Sequence, residues 1–72
     1  MKEFIQNLEN MLDLSAGELQ ADTRLADITG WDSMAAVGFL ALADGKYGKA
    51  VSPGAIKNSK TVSDLAALVG QS

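Results

Sequence analysis

The residues best placed to do chemistry stand together at Gly30-Trp31-Asp32-Ser33-Met34, where a loop of weak periodicity meets the longest uncharged run in the chain. Asp32 suits an N-cap: its carboxylate can accept hydrogen bonds from the unpaired amides of the next turn, at the positive end of the helix dipole. Ser33 then falls in the first turn of a helix with its hydroxyl toward solvent. A serine hydroxyl becomes a nucleophile only with a base beside it. The chain has no His and no Cys, so the usual base is missing, and Ser33 lacks the glycine pattern of a nucleophile elbow. A hydrolase built on Ser33 is therefore the weakest reading, and independent catalysis is not expected. The same absences remove the usual ligands of a structural zinc and any disulfide. Taken alone, an Asp-Ser pair is most simply a helix cap, and its surroundings decide whether it is more.

The elements that must position Ser33 come from 72 residues, 47% of them hydrophobic. That makes one domain, residues 1–72, near the lower limit for a fold resting on a single core without staples. Only four residues are aromatic, so the core must be aliphatic. No apolar run approaches the roughly 20 residues that span a bilayer, and Met1-Lys2-Glu3 leads into no secretory signal pattern. A soluble, cytoplasmic, monomeric protein with no membrane role is expected. The net charge of −3 argues against nucleic acid, since phosphate binding needs clustered Lys and Arg. The charge is unevenly spread. Residues 1 to 32 hold seven acids against Lys2 and Arg24, whereas from Ser33 onward Asp44 and Asp64 face Lys46, Lys49, Lys57 and Lys60. This reads as a solvated surface of mixed sign.

Phe4, Ile5, Leu8, Met11 and Leu12 line one face of a helix from Lys2 to Leu14, with Glu3, Gln6, Asn7, Glu9, Asn10 and Asp13 on the other. Ser15-Ala16-Gly17-Glu18 has capping-box spacing and could open one short turn that carries Leu19 inward. A long polar loop follows, pinned to the core at Leu25 and Ile28, with Thr29-Gly30 as its turn. Loops of this length in compact domains are often functional.

From Met34 to Ala43 there is no charge, and the second helix is expected from Ser33 to Asp44 or Lys46. Gly38 is a flaw in it, costing about 1 kcal/mol relative to Ala. A helix apolar all round should be buried all round, yet so small a domain can hardly surround one. Part of its apolar surface should therefore be exposed, as a docking face. Gly48 suits the helix exit, and Val51 returns to the core. Ser52-Pro53 opens a short third helix through Ala55, Ile56 and Lys57 that closes at Asn58-Ser59. Thr61 and Asp64 cap a fourth helix, with Val62, Leu65, Ala66, Leu68 and Val69 as its stripe and Gly70 at its end. The expected fold is an all-α four-helix bundle, three main helices and a short third, with a long loop between the first two.

Over nearly its whole length the chain resembles an acyl carrier protein. The resemblance is carried by Thr23-Arg24-Leu25-Ala26-Asp27-Ile28, Gly30-Trp31-Asp32-Ser33-Met34, Tyr47 to Pro53, and Lys60-Thr61-Val62-Ser63-Asp64-Leu65. It implies that Ser33 is esterified by a phosphopantetheinyl transferase using coenzyme A, and that the thiol of the 4'-phosphopantetheine arm holds acyl groups as thioesters. It implies further that Asp32 helps to position the metal and coenzyme A during loading. The other implied partners are an acyl- or aminoacyl-loading ligase or synthase and a downstream acyltransferase or condensing enzyme. An exposed hydroxyl on the first turn of a rigid helix suits a swinging arm, and a phosphodiester sits well near free helix amides.

The chain also departs from the family's common pattern. Fatty-acid carriers place acids along the second helix, where this sequence has Gly38, Asp44 and Gly45, with Lys46 and Lys49 just beyond. A partner that relies on an acidic helix should bind poorly. Thr29 is one residue extra, and Trp31 is bulkier than the small residue often found there. Gly30-Trp31-Asp32-Ser33 is similar to stand-alone carriers of specialised pathways, some of which carry amino acids, and Met1 and the compact ends favour a stand-alone protein. Met34, Val37, Leu42 and Tyr47 are assigned to the core, with Met34 and Val37 also near the arm. Trp31, Met34, Val37, Ala41 and Asp44 are the candidate partner contacts. Trp31 is either a plug over the loop or a partner contact. The groove between the second and third helices either shelters a short acyl chain or belongs to the core alone. The competing reading of the whole is an unmodified helical adaptor that binds partners through the second helix, indifferent to Ser33→Ala.

Overall fold

The apolar spacing of Phe4 and Leu8 produces α1, Lys2–Met11, in which both side chains are fully buried. The structure, a computed structural model, describes residues 2–71. The helix ends short of the expected Leu14 because Asp13 takes a left-handed conformation (φ 59°). Asp13 N–H then donates to the Asn10 carbonyl at 3.2 Å and Leu14 N–H to the Glu9 carbonyl at 2.8 Å. This paired closure is a Schellman ending, made here with aspartate, one of the few side chains that tolerates the left-handed region. Glu9, expected on the polar face, is instead only 2% exposed. Its Oε2 accepts the Leu19 N–H at 3.0 Å, which ties the loop to α1 and satisfies a buried amide.

The Ser15–Glu18 turn forms half of the capping box: the Glu18 carboxylate accepts the Ser15 N–H, and no helix follows. Leu19 is nonetheless buried, as are the two expected pins, Leu25 and Ile28. A single 3-10 turn, Leu25–Asp27, lies between the pins. The loop is also sewn to the far end of the chain. Leu25 N–H donates to the Lys60 carbonyl (2.9 Å), Val62 N–H to Thr23 (3.0 Å) and Ser63 N–H to Ala21 (2.8 Å). The first amides of a helix have no partner within it, and here loop carbonyls supply two of them.

The uncharged run forms α2, Ser33–Tyr47, which ends where Gly48 turns left-handed (φ 62°) and donates to the Ala43 and Asp44 carbonyls. Phe39 and Ala43 are its buried residues. Phe39 meets Phe4 edge to face, with ring centroids 6.1 Å apart at 81°. Tyr47 lies 5.9 Å from Phe4, and its hydroxyl accepts a hydrogen bond from the Asn7 amide at 3.0 Å. Leu42 and Tyr47 pack against the core as expected. Met34 and Val37 do not: they are 82% and 64% exposed. The helix is apolar on every side and the bundle covers only one of them, so the core assignment of these two residues is corrected.

Within α2, a Cβ on Gly38 would lie 3.4 Å from Met11 Sδ, an ordinary contact, and one on Gly45 would meet nothing within 4 Å. Alanine at Gly45 should therefore recover about 1 kcal/mol of helix propensity. Alanine at Gly38 should recover about as much, because it meets Met11 only at ordinary contact distance. Thermal melts of the two variants check this, and a lower midpoint for Gly45→Ala would refute it.

Ser52 caps α3, Pro53–Asn58, its hydroxyl accepting the Ala55 N–H at 3.1 Å, and Ile56 points into the core. Thr61 and Asp64 form the expected capping box on α4, Val62–Leu68. At seven residues α4 is only one longer than the six-residue α3, and Val62, Leu65, Ala66 and Val69 are its buried stripe. The four helices form the all-α bundle expected, with no strand among the described residues.

The Asp64 carboxylate accepts from Lys60 N–H (2.9 Å) and Thr61 N–H (3.2 Å). These two amides, Lys60 first, hold its pKa below the ordinary value of 3.8. A depressed native pKa means that the contribution is complete above the unfolded value and is lost as pH falls below 3.8 through the native value. Asp64→Asn should accordingly melt below the parent at neutral pH, and the gap should close as the solution is acidified past that point. A gap that does not change with pH would overturn this assignment.

Candidate functional site

Three successive fixings position Ser33. Ile28 is buried, and the Trp31 N–H donates to its carbonyl at 3.2 Å, closing a turn in which Gly30 has φ 89°. The extra residue Thr29 is taken up in this turn, exposed, without disturbing the pin. Trp31 is half-buried and packs on the core. Asp32, in extended conformation (φ −142°, ψ −168°), is the N-cap, its Oδ1 accepting the Ala35 N–H at 2.9 Å. Ser33 is then the first residue of α2 and is exposed. The hydroxyl thus projects from the start of the longest helix, behind a residue that ends the loop with a hydrogen bond.

An open groove of about 430 Å³ runs from this point between α2 and α3, lined among others by Trp31, Ser33, Ala36, Pro53, Ile56 and Lys57. A smaller groove of about 270 Å³ lies between α2 and the end of α1, with Met34 and Gly38 on its wall. A hollow of about 400 Å³ between α1 and the loop, lined by Ile5, Glu9 and Leu19, contains none of the expected site residues.

The structure separates the expected site into two surfaces. Met34, Val37, Ala41 and Asp44 are all exposed, and their spacing sets them along one face of α2. Trp31 sits with Ser33 on the groove. Sequence reasoning missed Pro53 and Lys57 as neighbours of Ser33. The Ser52-Pro53 signal locates the start of α3 but not its approach to α2, which is set by the burial of Ile56.

No group of three or more His, Cys, Asp or Glu able to hold a metal ion occurs among the described residues. The arrangement suits a different use: an exposed hydroxyl that accepts a group from another enzyme. The nearby amides of the first turn favour an anionic linkage there, and the open groove leaves room for a flexible chain. Ser33 and its surroundings thus fit an attached phosphodiester arm.

Comparison with known families matched residues 2–69 to the one described as phosphopantetheine attachment site. Comparisons with curated proteins and with solved structures gave no match. The family match covers nearly the whole chain, and the four-helix fold agrees with it. The chain therefore belongs to the phosphopantetheine attachment site family: it is an acyl carrier protein, non-catalytic itself, whose cofactor is covalently bound 4'-phosphopantetheine.

Proposed function

We propose that residues 1–72 form one carrier domain with Ser33 as its attachment point, holding acyl or aminoacyl intermediates for partner enzymes of a specialised biosynthetic pathway. The observation that carries this reading is the exposed Ser33 at the first position of α2, locked in place by the Asp32 cap. When bound, the arm supplies a terminal thiol that forms thioesters. The chain's own residues present it: Ser33 provides the ester oxygen, Asp32 fixes the helix start, and Ile28 and Trp31 hold the loop against the core. With no His or Cys in the chain, deprotonation of Ser33 and metal binding belong to the phosphopantetheinyl transferase, and Asp32 adds a carboxylate to that encounter.

The face bearing Met34, Val37, Ala41 and Asp44 is the docking surface for the transferase, for a loading ligase or synthase, and for the acyltransferase or condensing enzyme that follows. Met34 and Val37, one turn apart and both exposed, form a contiguous apolar patch of the kind that marks an interaction site. Asp44 is the single acid on this face, and Lys46 and Lys49 follow it. Together with Gly30-Trp31-Asp32-Ser33, this pattern favours a stand-alone carrier of a specialised pathway over a fatty-acid carrier. No helix among the described residues is long and apolar enough to cross a membrane, and cytoplasmic residence, where coenzyme A is available, completes the reading.

Incubation with coenzyme A, magnesium and a broad-specificity transferase should add one phosphopantetheinyl group, seen by intact mass. A folded chain that gains no mass would overturn the proposal.

A further inference from the structure

We infer that the hollow between α1 and the loop binds a small molecule made of an apolar body and one protonated amine, with the ammonium on the Glu9 carboxylate. The site is separate from the Ser33 groove and shares no lining residue with it. Its volume, about 400 Å³, lies at the small end of the range for ligand pockets. Ile5, Ala16 and Leu19 give it apolar walls, and its polar side chains are Lys2, Gln6 and Glu9. Lys2 and Gln6 are exposed, so water and salt screen them. Glu9 is only 2% exposed, and its charge acts through a medium that screens it less.

Glu9 has bonding capacity left over. An ionised carboxylate offers about four acceptor positions, and the fold draws on Oε2 to accept the Leu19 N–H at 3.0 Å. No buried side-chain oxygen or nitrogen among the described residues is left without a partner. Oε1 is therefore not sealed in the core but reaches open space, and the hollow is the opening that Glu9 lines. A carboxylate held this far from water favours a cation that donates to it, since a hydrogen bond between charged groups is about twice as strong as a neutral one. An anion is repelled there. The rest of the ligand displaces water from Ile5 and Leu19, where burial of carbon is favourable. Charge and shape together select an apolar amine over the corresponding alcohol or acid, and nothing in the selection depends on attachment at Ser33.

The Leu19 amide reads the site directly, because its proton lies on the same carboxylate. The experiment titrates the isotope-labelled chain with cyclohexylamine at neutral pH, and in parallel with cyclohexanol and cyclohexanecarboxylate, which keep the ring and change the polar group. Cyclohexylamine should produce a saturable shift of the Leu19 amide resonance. Cyclohexanol should bind about tenfold more weakly, the margin of a charge-assisted hydrogen bond over a neutral one, and cyclohexanecarboxylate should not bind. Glu9→Gln keeps a side-chain oxygen for the Leu19 N–H and removes the charge. It should weaken the amine about tenfold and leave cyclohexanol unchanged, so that the two bind alike. No saturable shift with cyclohexylamine in wild type would overturn the site. Equal affinity of wild type for the amine, the alcohol and the acid would overturn it too, as the mark of a hollow that is merely apolar. Both wild-type outcomes decide the matter even where Glu9→Gln does not fold.

Discussion

Ser33→Ala should abolish phosphopantetheine addition completely under conditions that convert the whole of the wild-type chain, leaving the intact mass unchanged. The effect is all-or-none because the substitution removes the only side-chain hydroxyl in the first turn of α2. Two other hydroxyls near the site are engaged elsewhere: Ser52 caps α3 and Ser59 donates to Ala55. Neither stands at the start of a long helix behind an aspartate cap. The same variant should melt within about 0.5 kcal/mol of the parent, as exposed substitutions away from packing and caps generally do. That pairing separates lost chemistry from lost fold. A Ser33→Ala chain that still gains one phosphopantetheinyl group would move the attachment point elsewhere. Partner binding indifferent to the substitution would favour an unmodified adaptor.

The second large effect concerns the core that holds α2 in place. Phe39→Ala should destabilise the domain by about 3–5 kcal/mol, the cost of truncating a fully buried phenylalanine. The edge contact with Phe4 adds to the loss. At the usual stability per residue, a chain of this length has roughly 4–11 kcal/mol in all. The variant should therefore sit close to its unfolding threshold. Its melting midpoint should fall by more than about 12 °C at the usual sensitivity of small domains, and loading at Ser33 should decline with the folded fraction. Urea titration gives the free energy directly. A loss below about 1 kcal/mol would mean that α2 is not anchored through Phe39.

These two residues also show what sequence alone could and could not provide. The place of Ser33 at the start of α2 was legible because its neighbours carry local signals: an aspartate cap before it, an uncharged run after it, and later caps at Ser52, Thr61 and Asp64 that divide the chain into helices. Each of those signals acts within one turn, and each was found in the structure. Phe39 was not singled out. It lies in a run that is apolar on every face, so periodicity cannot say which side turns inward; tertiary packing decides, placing Phe39 inside and Met34 and Val37 outside. Glu9 was misread for a related reason. Its helical position is polar-facing by pattern, yet a loop amide ten residues away in sequence recruits its carboxylate inward. Asp13 ended α1 early by adopting a conformation that sequence assigns first to glycine. Lys57 came near Ser33 only through the packing of α3 on α2, which no local spacing encodes.

The hydrogen bonds between the long loop and the start of α4 have a consequence for order in time. Thr23 and Ala21 complete the first turn of α4, and Lys60 in return accepts from Leu25. These partners are far apart in sequence, so closing the intervening chain costs entropy that local helix formation does not. The stretch that leads to Ser33 is therefore finished by residues at the start of α4, which are made after it. On a ribosome, where synthesis proceeds from the N-terminus and folding can begin before it ends, α1 and α2 can form early. The loop cannot take its final course until the residues around Thr61 have been made.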